Sequence, residues 1–109
     1  MTTKTERIRA LNDVLRTTGI GGRIMITSGI AALPPADRQA IARAVQAFSD
    51  FNPENDPHGE HDCAVLTAAG HRIIFKIDYY DQDIIYLSPD PSDPGQTYRV
   101  LTVMLSSEY

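Results

Sequence analysis

Apolar residues in the first half of the chain recur every three or four positions over two segments, which predicts two amphipathic helices. The first spans about residues 3–18, begins at a capping box of Thr3 and Glu6, and stops before Gly19. The second spans about residues 35–49 and begins at two prolines, whose missing N–H groups cost little in a first turn. The residues expected to point from these helices into the core are Ile8, Leu11, Leu15, Ile41, Val45 and Phe48.

The pattern changes to alternation in the second half, which predicts a sheet. Strands are expected at about residues 62–68 and 71–80, joined by a hairpin at Gly70, and at about residues 84–87. A run at about residues 23–27 is apolar without alternating, so we expect a short strand that is buried on both faces. The core residues expected from the sheet are Ile24, Ile26, Ile73, Phe75 and Ile77.

These elements predict one α+β domain over residues 1–109, with an antiparallel sheet of about four strands and two helices on one face. Asp93 and Pro94 resemble a helix N-cap and a first-turn proline, so a C-terminal helix is predicted over about residues 95–107. Three β-branched residues within that segment also suit a strand, and the choice between helix and strand stays open.

Composition bounds the class of protein. The chain is 42% hydrophobic and 22% charged, which is typical of a folded globular domain. Its one cysteine, Cys63, excludes an internal disulfide and fits a reducing compartment. No stretch contains the ~20 apolar residues that a transmembrane helix requires. We therefore expect a cytoplasmic protein with no membrane association.

Charge is divided unevenly along the chain. The first fifty residues hold seven Lys and Arg against four acids, whereas the remainder hold three against ten and contain all three histidines. An acidic half disfavours nucleic acid as a partner, and the basic half lacks interleaved aromatic residues that stack on bases. The acidic tract from Asp78 to Asp93 would suit an anti-restriction or anti-CRISPR type of inhibitor, although a net charge of −4 is low for mimicry of nucleic acid.

Two dense polar segments carry the candidate functional residues. The first runs from Asn55 to Asp62, and the second runs from Lys76 to Asp81 at the end of an otherwise apolar strand. A hairpin at Gly70 would pair the two strands, so we expect the first segment to converge on the second. The binding candidates are Asn55, Asp56, His58, Glu60, His61, Asp62, Asp78, Tyr79, Tyr80 and Asp81.

Metal binding is one interpretation of these segments, because imidazole and carboxylate groups are accepted ligands of Zn²⁺ and related ions. The candidates would be His58, His61, Asp62 and Asp78. Their spacing matches no strong motif, and two histidines on a loop lack the helical geometry of the zinc-protease signature. We therefore predict no metal and no cofactor, assign no catalytic residue, and interpret the histidines as groups that hold a long loop together.

Several blocks of the chain are similar to a family of small bacterial proteins catalogued as a domain of unknown function. The blocks are NDPHGEHD, KIDYYD, SPDP and RVLT with a terminal EY, and the similarity runs from Asn12 to Tyr109. The resemblance implies an association with bacterial chromosomes and plasmids. It brings no activity, cofactor or catalytic residue with it.

Function is predicted from what these signals favour. Tyrosine beside fixed acidic groups suits a protein interface, so we predict a binding module, a regulator or inhibitor that docks on a protein partner. Its contact surface would include the acidic loops with Tyr79, Tyr80 and Tyr86. A small metal-assisted hydrolase using the His58–Asp62 segment is the alternative, less favoured because no catalytic spacing is strong and a short chain leaves little room for a deep pocket.

Overall fold

A mixed four-stranded sheet organises the fold. The computed structural model describes residues 2–109. Its elements are, in order, α1 (Lys4–Thr18), β1 (Gly22–Ile26), α2 (Ser28–Ala31), α3 (Pro35–Ala47), β2 (Cys63–Ala68), β3 (His71–Tyr80), β4 (Tyr98–Leu105) and a 3-10 turn (Ser106–Glu108). The strand order is β1-β4-β3-β2, with β1 parallel to β4 and the other pairs antiparallel. The α+β class is therefore confirmed, and the prediction of a purely antiparallel sheet is wrong.

Local sequence signals fix the ends of the long helices. The Thr3 hydroxyl accepts a hydrogen bond from the Glu6 N–H at 3.1 Å, and Gly19 ends α1 in the left-handed region at φ +81°. Glycine adopts that conformation without steric cost, so it allows the Gly19 N–H to reach the Leu15 carbonyl. Pro35 opens α3, as the paired prolines predict.

The β2–β3 hairpin follows directly from the alternating pattern. Ala69 and Gly70 both have positive φ, at +52° and +76°, which is the geometry of a two-residue turn that matches the twist of the strands. This turn sets the register that pairs Cys63 with Lys76 and Ala64 with Phe75. One face of β3 is consequently buried, and the other is only partly covered.

The segment after Asp93 is a strand, so the prediction of a C-terminal helix is wrong. β4 lies between β1 and β3, and Val100, Leu101, Val103 and Met104 are buried from both of its faces. A central strand covered on both sides has a continuous apolar run, which resembles the core stripe of a helix. Pairing with two neighbours decides between the two structures here, and the β-branched residues agree with it.

The predicted strand at residues 84–87 is also absent from residues 2–109. Only an isolated bridge joins Tyr80 to Leu87. Because β2 and β4 occupy the two edges of β3, the segment has no edge of that strand left to pair with.

β1 differs from its prediction as well. It lies at an edge of the sheet and all five of its residues are exposed, although burial on both faces was predicted. The predicted core residues Ile24 and Ile26 are therefore about half exposed. An apolar run alone does not distinguish a central strand from an uncovered edge strand.

The core lies between the buried sheet face and the helices. It consists of Leu15, Ile30, Ile41, Val45, Ala64, Ile73, Phe75, Ile77, Leu101 and Val103. Six of these residues were predicted, and Phe48 packs against the cluster from its margin. Leu101 and Val103 were missed because their segment was assigned to a helix, and Ile30 because the short α2 was not foreseen.

Glu108 closes the structure around β1. Its carboxylate accepts hydrogen bonds from the Thr27 hydroxyl at 2.6 Å, the Gly29 N–H at 3.1 Å and the Leu105 N–H at 2.9 Å. These hydrogen bonds, the Thr27 hydroxyl first, lower the pKa of Glu108 below its ordinary 4.5. A Cβ on residue 29 would lie less than 3 Å from this carboxylate, so the Glu108 side chain would have to move away from the Gly29 N–H.

Phe75→Ala tests the core. Phe75 is fully buried and its ring meets the rings of Phe48 and Phe51 edge-on, so truncation should lower the free energy of unfolding by about 3–5 kcal/mol. Urea denaturation measures the change. The matched control is Val65→Ala on the exposed face of β2, which should cost less than about 1 kcal/mol. Equal losses from the two variants would contradict the assignment of strand faces.

Glu108→Gln tests whether the three hydrogen bonds of the Glu108 carboxylate stabilise the fold, through the pH dependence of the free energy of unfolding. A lowered pKa means that the stabilising effect of Glu108 is complete above its ordinary value of 4.5 and is lost as the pH falls through the folded-state pKa. The difference in unfolding free energy between wild type and Glu108→Gln should therefore shrink as the pH falls below 4.5. Thr27→Val, which removes one donor, should show a smaller acid-dependent loss than wild type. A difference that is independent of pH would refute the assignment.

Candidate functional site

The first polar segment is a loop that is bonded largely to itself and to α1. At its start the Asn52 side-chain oxygen accepts from the N–H groups of Glu54 and Asn55, and the Asn55 amide donates to the Asp50 carbonyl. Turns closed by asparagine side chains hold a backbone that has no helix or strand partner. Asn55 therefore serves the shape of the loop.

His61 is fixed on three sides. Its ring stacks on Phe51 with centroids 3.9 Å apart, its Nδ1 lies 2.9 Å from Asp13 Oδ1, and its Nε2 lies 3.7 Å from Asp56 Oδ2. Asp56 is buried and also accepts from the His61 N–H. His61 therefore holds the loop against α1. Its own backbone has a positive φ of 55°.

Arg16 ties this region to the end of α3. The side chain is buried and its Nη1 donates to the carbonyls of Val45, Gln46 and Phe48 at 3.0, 3.1 and 2.8 Å. The Val45 carbonyl also accepts from the Phe48 N–H at 3.4 Å, and a guanidinium suits the negative end of a helix dipole. Asp13 balances the charge at 3.0 Å and so connects Arg16 to His61.

A second buried network centres on Tyr79. Its hydroxyl donates to Glu60 Oε1 at 2.7 Å and accepts from Asn12 Nδ2 at 2.7 Å, while the Asn12 amide also donates to the Glu60 carbonyl. Burial first, and then the bond to Glu60, raises the pKa of Tyr79. Tyr79 therefore stays protonated and acts as a donor.

Arg99 extends this network across the sheet. Its Nε donates to Asn12 Oδ1 at 2.9 Å, its Nη2 donates to the Pro91 carbonyl, and its guanidinium lies 5.3 Å from the centre of the Tyr79 ring. Desolvation lowers the pKa of Arg99, and Tyr79 and Glu60 partly oppose that shift. The group links α1, β3, β4 and the loop of residues 88–97.

Two members of this network, Asn12 and Arg99, were missed in the sequence. Each left a signal, because Asn12 lies one turn after Ile8 on the apolar face of α1, and Arg99 opens an apolar strand. A polar residue at a core position is bonded when it is buried, so such exceptions to the apolar pattern point to internal networks.

The first polar segment was expected to converge on Asp78, Tyr80 or Asp81, whereas the side chain that meets it is Tyr79, itself one of the binding candidates. β3 alternates, so Tyr79 faces the helices together with Phe75 and Ile77, while Asp78 and Tyr80 lie on the opposite face. Asp78 pairs there with Lys76 at 2.9 Å. The contact with Glu60 is consequently made by Tyr79.

The other predicted residues are dispersed. The Asp62 carbonyl accepts from the Ile77 N–H at 2.7 Å, and burial raises the pKa of its carboxyl. His58 is exposed on the rim of an open groove of about 360 Å³ that also includes Arg9. Asp81 bonds the backbone of its own loop. Across residues 2–109, no group of three or more His, Cys, Asp or Glu side chains is placed to share a metal ion.

Comparison with protein families identifies the family of this chain. The family model described as "Protein of unknown function (DUF3768)" matches residues 26–108. The chain belongs to the DUF3768 family. This confirms the predicted resemblance, although the matched residues begin at Ile26, after α1. Comparison with curated proteins and with solved structures gave no match.

The residues matched by the DUF3768 model include the loops of residues 48–62 and 88–97, but not all of the side chains that hydrogen-bond to these loops. Asn12, Asp13 and Arg16 come from α1, which precedes the matched residues. None of the helices formed within residues 2–109 has both the length and the apolar character needed to cross a bilayer.

Asn12→Ala tests the network around Tyr79. The change leaves the buried Arg99 Nε without its acceptor and the Glu60 carbonyl without its donor, so the free energy of unfolding should fall by about 3–5 kcal/mol. Thermal and urea denaturation measure it. Gln39→Ala on the exposed side of α3 is the control and should change stability by less than about 0.5 kcal/mol. A similarly small change for Asn12→Ala would show that the network is not needed for the fold.

Proposed function

We propose that this member of the DUF3768 family is a protein-binding module whose contact surface is the segment Ile84–Leu87, hereafter the apolar tip. The four side chains of the tip are 48–78% exposed and lie next to one another. Isolated exposed apolar residues are ordinary on a protein surface, but a contiguous group is typical of an interaction site. This exposure is the observation that carries the proposal.

The tip is held in place despite its exposure. The Asp81 carboxylate accepts from the Ile85 N–H at 3.0 Å, and the Asp81 N–H donates to the Tyr86 carbonyl at 2.8 Å. The Ser88 N–H donates to the Tyr79 carbonyl and ends the tip at β3. A preorganised loop loses less conformational entropy when it binds a partner, which favours recognition.

Backbone strain supports the same conclusion. Ile84 has φ +58°, and a β-branched residue in the left-handed region is a clear outlier. Such a conformation costs about 1–3 kcal/mol and persists where surrounding contacts impose it, often at ligand-binding segments. Here it accompanies four apolar side chains that face solvent.

Acidic residues on either side of the tip indicate which charge a partner should carry. Asp81 and Asp83 precede the tip, and Asp90 and Asp93 lie in the loop that follows it. Hydrogen bonds within that loop, from Ser92 and from Gln96 first, lower the pKa of Asp90 and Asp93 respectively. An apolar tip beside acidic groups is complementary to an apolar pocket with basic residues at its rim.

Binding is preferred to the hydrolase alternative because of where the polar groups are used. His61, Asp56, Glu60 and Tyr79 hydrogen-bond one another, α1 and the loop backbone. A role in fixing the loop accounts for each of these contacts. The contact surface proposed here is therefore smaller than the acidic, tyrosine-containing surface predicted from the sequence, and consists of the apolar tip, which includes Tyr86.

Ile85→Ser with Leu87→Ser tests the proposal. Both side chains are largely exposed, so the double variant should keep the stability of wild type within about 1 kcal/mol while weakening partner capture at least about tenfold. Capture is measured from a lysate of the source organism with immobilised protein and quantitative mass spectrometry. Ile20→Ser, an equally exposed isoleucine in the turn before β1, is the matched control and should retain capture.

A photo-crosslinking residue maps the contact directly. Benzoylphenylalanine at position 86 should form a crosslink that purified wild type competes away and the double variant does not. The same residue at position 109, where the tyrosine is 82% exposed, should form none. Crosslinks of equal yield at the two positions would refute the apolar tip as the contact surface.

A further inference from the structure

We infer that the outer edge of β1 holds a second, peptide-binding site, in which an acidic extended segment of a partner adds to the sheet as a fifth strand. The site consists of the free edge of β1 and the adjoining apolar groove between β1 and α3, hereafter the edge groove. It is separate from the apolar tip, and its test does not depend on the function proposed for the tip.

The backbone of β1 has free hydrogen-bonding groups along its outer edge. In a parallel ladder, alternate residues bond to the neighbouring strand. Because the Thr27 N–H donates to the Val103 carbonyl, the same alternation assigns Arg23 and Met25 to bonds with β4. Ile24 and Ile26 therefore direct their N–H and C=O groups away from the sheet. Within residues 2–109, no further strand pairs with this edge.

The edge has little of the usual protection against pairing. Exposed edge strands of soluble proteins commonly carry several charged side chains, a proline or a bulge. β1 has the sequence GRIMI, with no proline and an unbroken register, and Arg23 is its one charged residue. Such an edge is a template for strand addition.

The edge groove lies beside these same residues. It has a volume of about 240 Å³ and is lined mainly by Ile24, Ile26, Ile30, Ile41, Val45 and Leu101. The side chains of Ile24 and Ile26 share the sheet face of Leu101 and Val103, on the side of α3. A strand added to β1 would place every second side chain beside Ile24 and Ile26, at the mouth of the groove.

Two arginines near the edge groove favour an acidic occupant. Arg23 projects from the other face of β1, and Arg38 lines the groove, where its Nη1 donates only to the Ala31 carbonyl at 3.3 Å. Neither guanidinium forms an ion pair with any residue from 2 to 109. A second copy of the chain paired through β1 would bring another arginine and no acid to this edge, which does not complement its charge. A segment that alternates aliphatic and acidic residues places its aliphatic side chains toward the groove and its acidic side chains beside Arg23.

A fluorescein-labelled octapeptide of alternating valine and glutamate is the probe, and fluorescence anisotropy with the full chain is the measurement. We expect saturable binding. A peptide of alternating valine and lysine, with the same apolar face and opposite charge, should bind at least about tenfold more weakly. A valine–glutamate peptide that is N-methylated at every residue should not bind, because neither of its edges can donate hydrogen bonds to the edge of β1.

Variants of the protein separate the backbone from the charge. Ile24→Pro removes an outward N–H, which an edge strand tolerates, and should abolish binding while the thermal transition is retained. Arg23→Glu should weaken binding of the valine–glutamate peptide about tenfold and should strengthen binding of the valine–lysine peptide. The control is Arg43→Glu, an exposed arginine of α3 outside the groove, which should bind as wild type does.

Equal binding of the glutamate and lysine peptides would overturn the inference, as would unchanged binding to a folded Ile24→Pro variant. Sedimentation velocity of the protein alone supplies a further arm. A concentration-dependent dimer that Ile24→Pro abolishes would identify a second copy as the occupant of the edge and would also overturn it. A monomer at all concentrations, with glutamate-selective binding, supports the peptide site.

Discussion

A buried guanidinium constrains much of this structure. Arg99 lies in the sheet with almost no exposed surface, and a charge in that position is tolerated only when neighbouring groups satisfy it. Its partners come from three places, the Asn12 side chain of α1, the Pro91 carbonyl of the loop before β4, and the face of the Tyr79 ring. The nearest acid in the network, Glu60, is reached through Asn12 and Tyr79. The position of α1 over the sheet and the path of both long loops are therefore linked to one side chain.

Signals that act within a few residues predicted the local structure well. Thr3, Gly19 and Pro35 mark helix ends through bonds or steric limits that depend on adjacent residues alone. The alternation through β3 required only that one face be covered. β4 was misassigned because its apolar run suits a helix stripe and a two-sided strand equally, and only its position between β1 and β3 resolves them.

The candidate site shows a different limit of sequence reasoning. The density of acids and histidines in residues 55–62 reflects a long loop that lies against the core and must bond its own backbone. A structural network and a catalytic one use the same residue types, so composition alone does not separate them. The apolar tip was missed for the reverse reason, since Ile84 to Leu87 have the composition of a strand. Their exposure depends on both edges of β3 being occupied by other strands.

The order of the strands has a consequence for biosynthesis. β1 is made early, but its neighbour in the sheet is β4, the last of the four strands to be synthesised. Until β4 emerges from the ribosome, β1 has neither of its edges paired, and the edge of β3 that later pairs with β4 is also open. Folding of the sheet is thus delayed to the end of the domain, and the apolar residues of β1 remain accessible to chaperones throughout that interval.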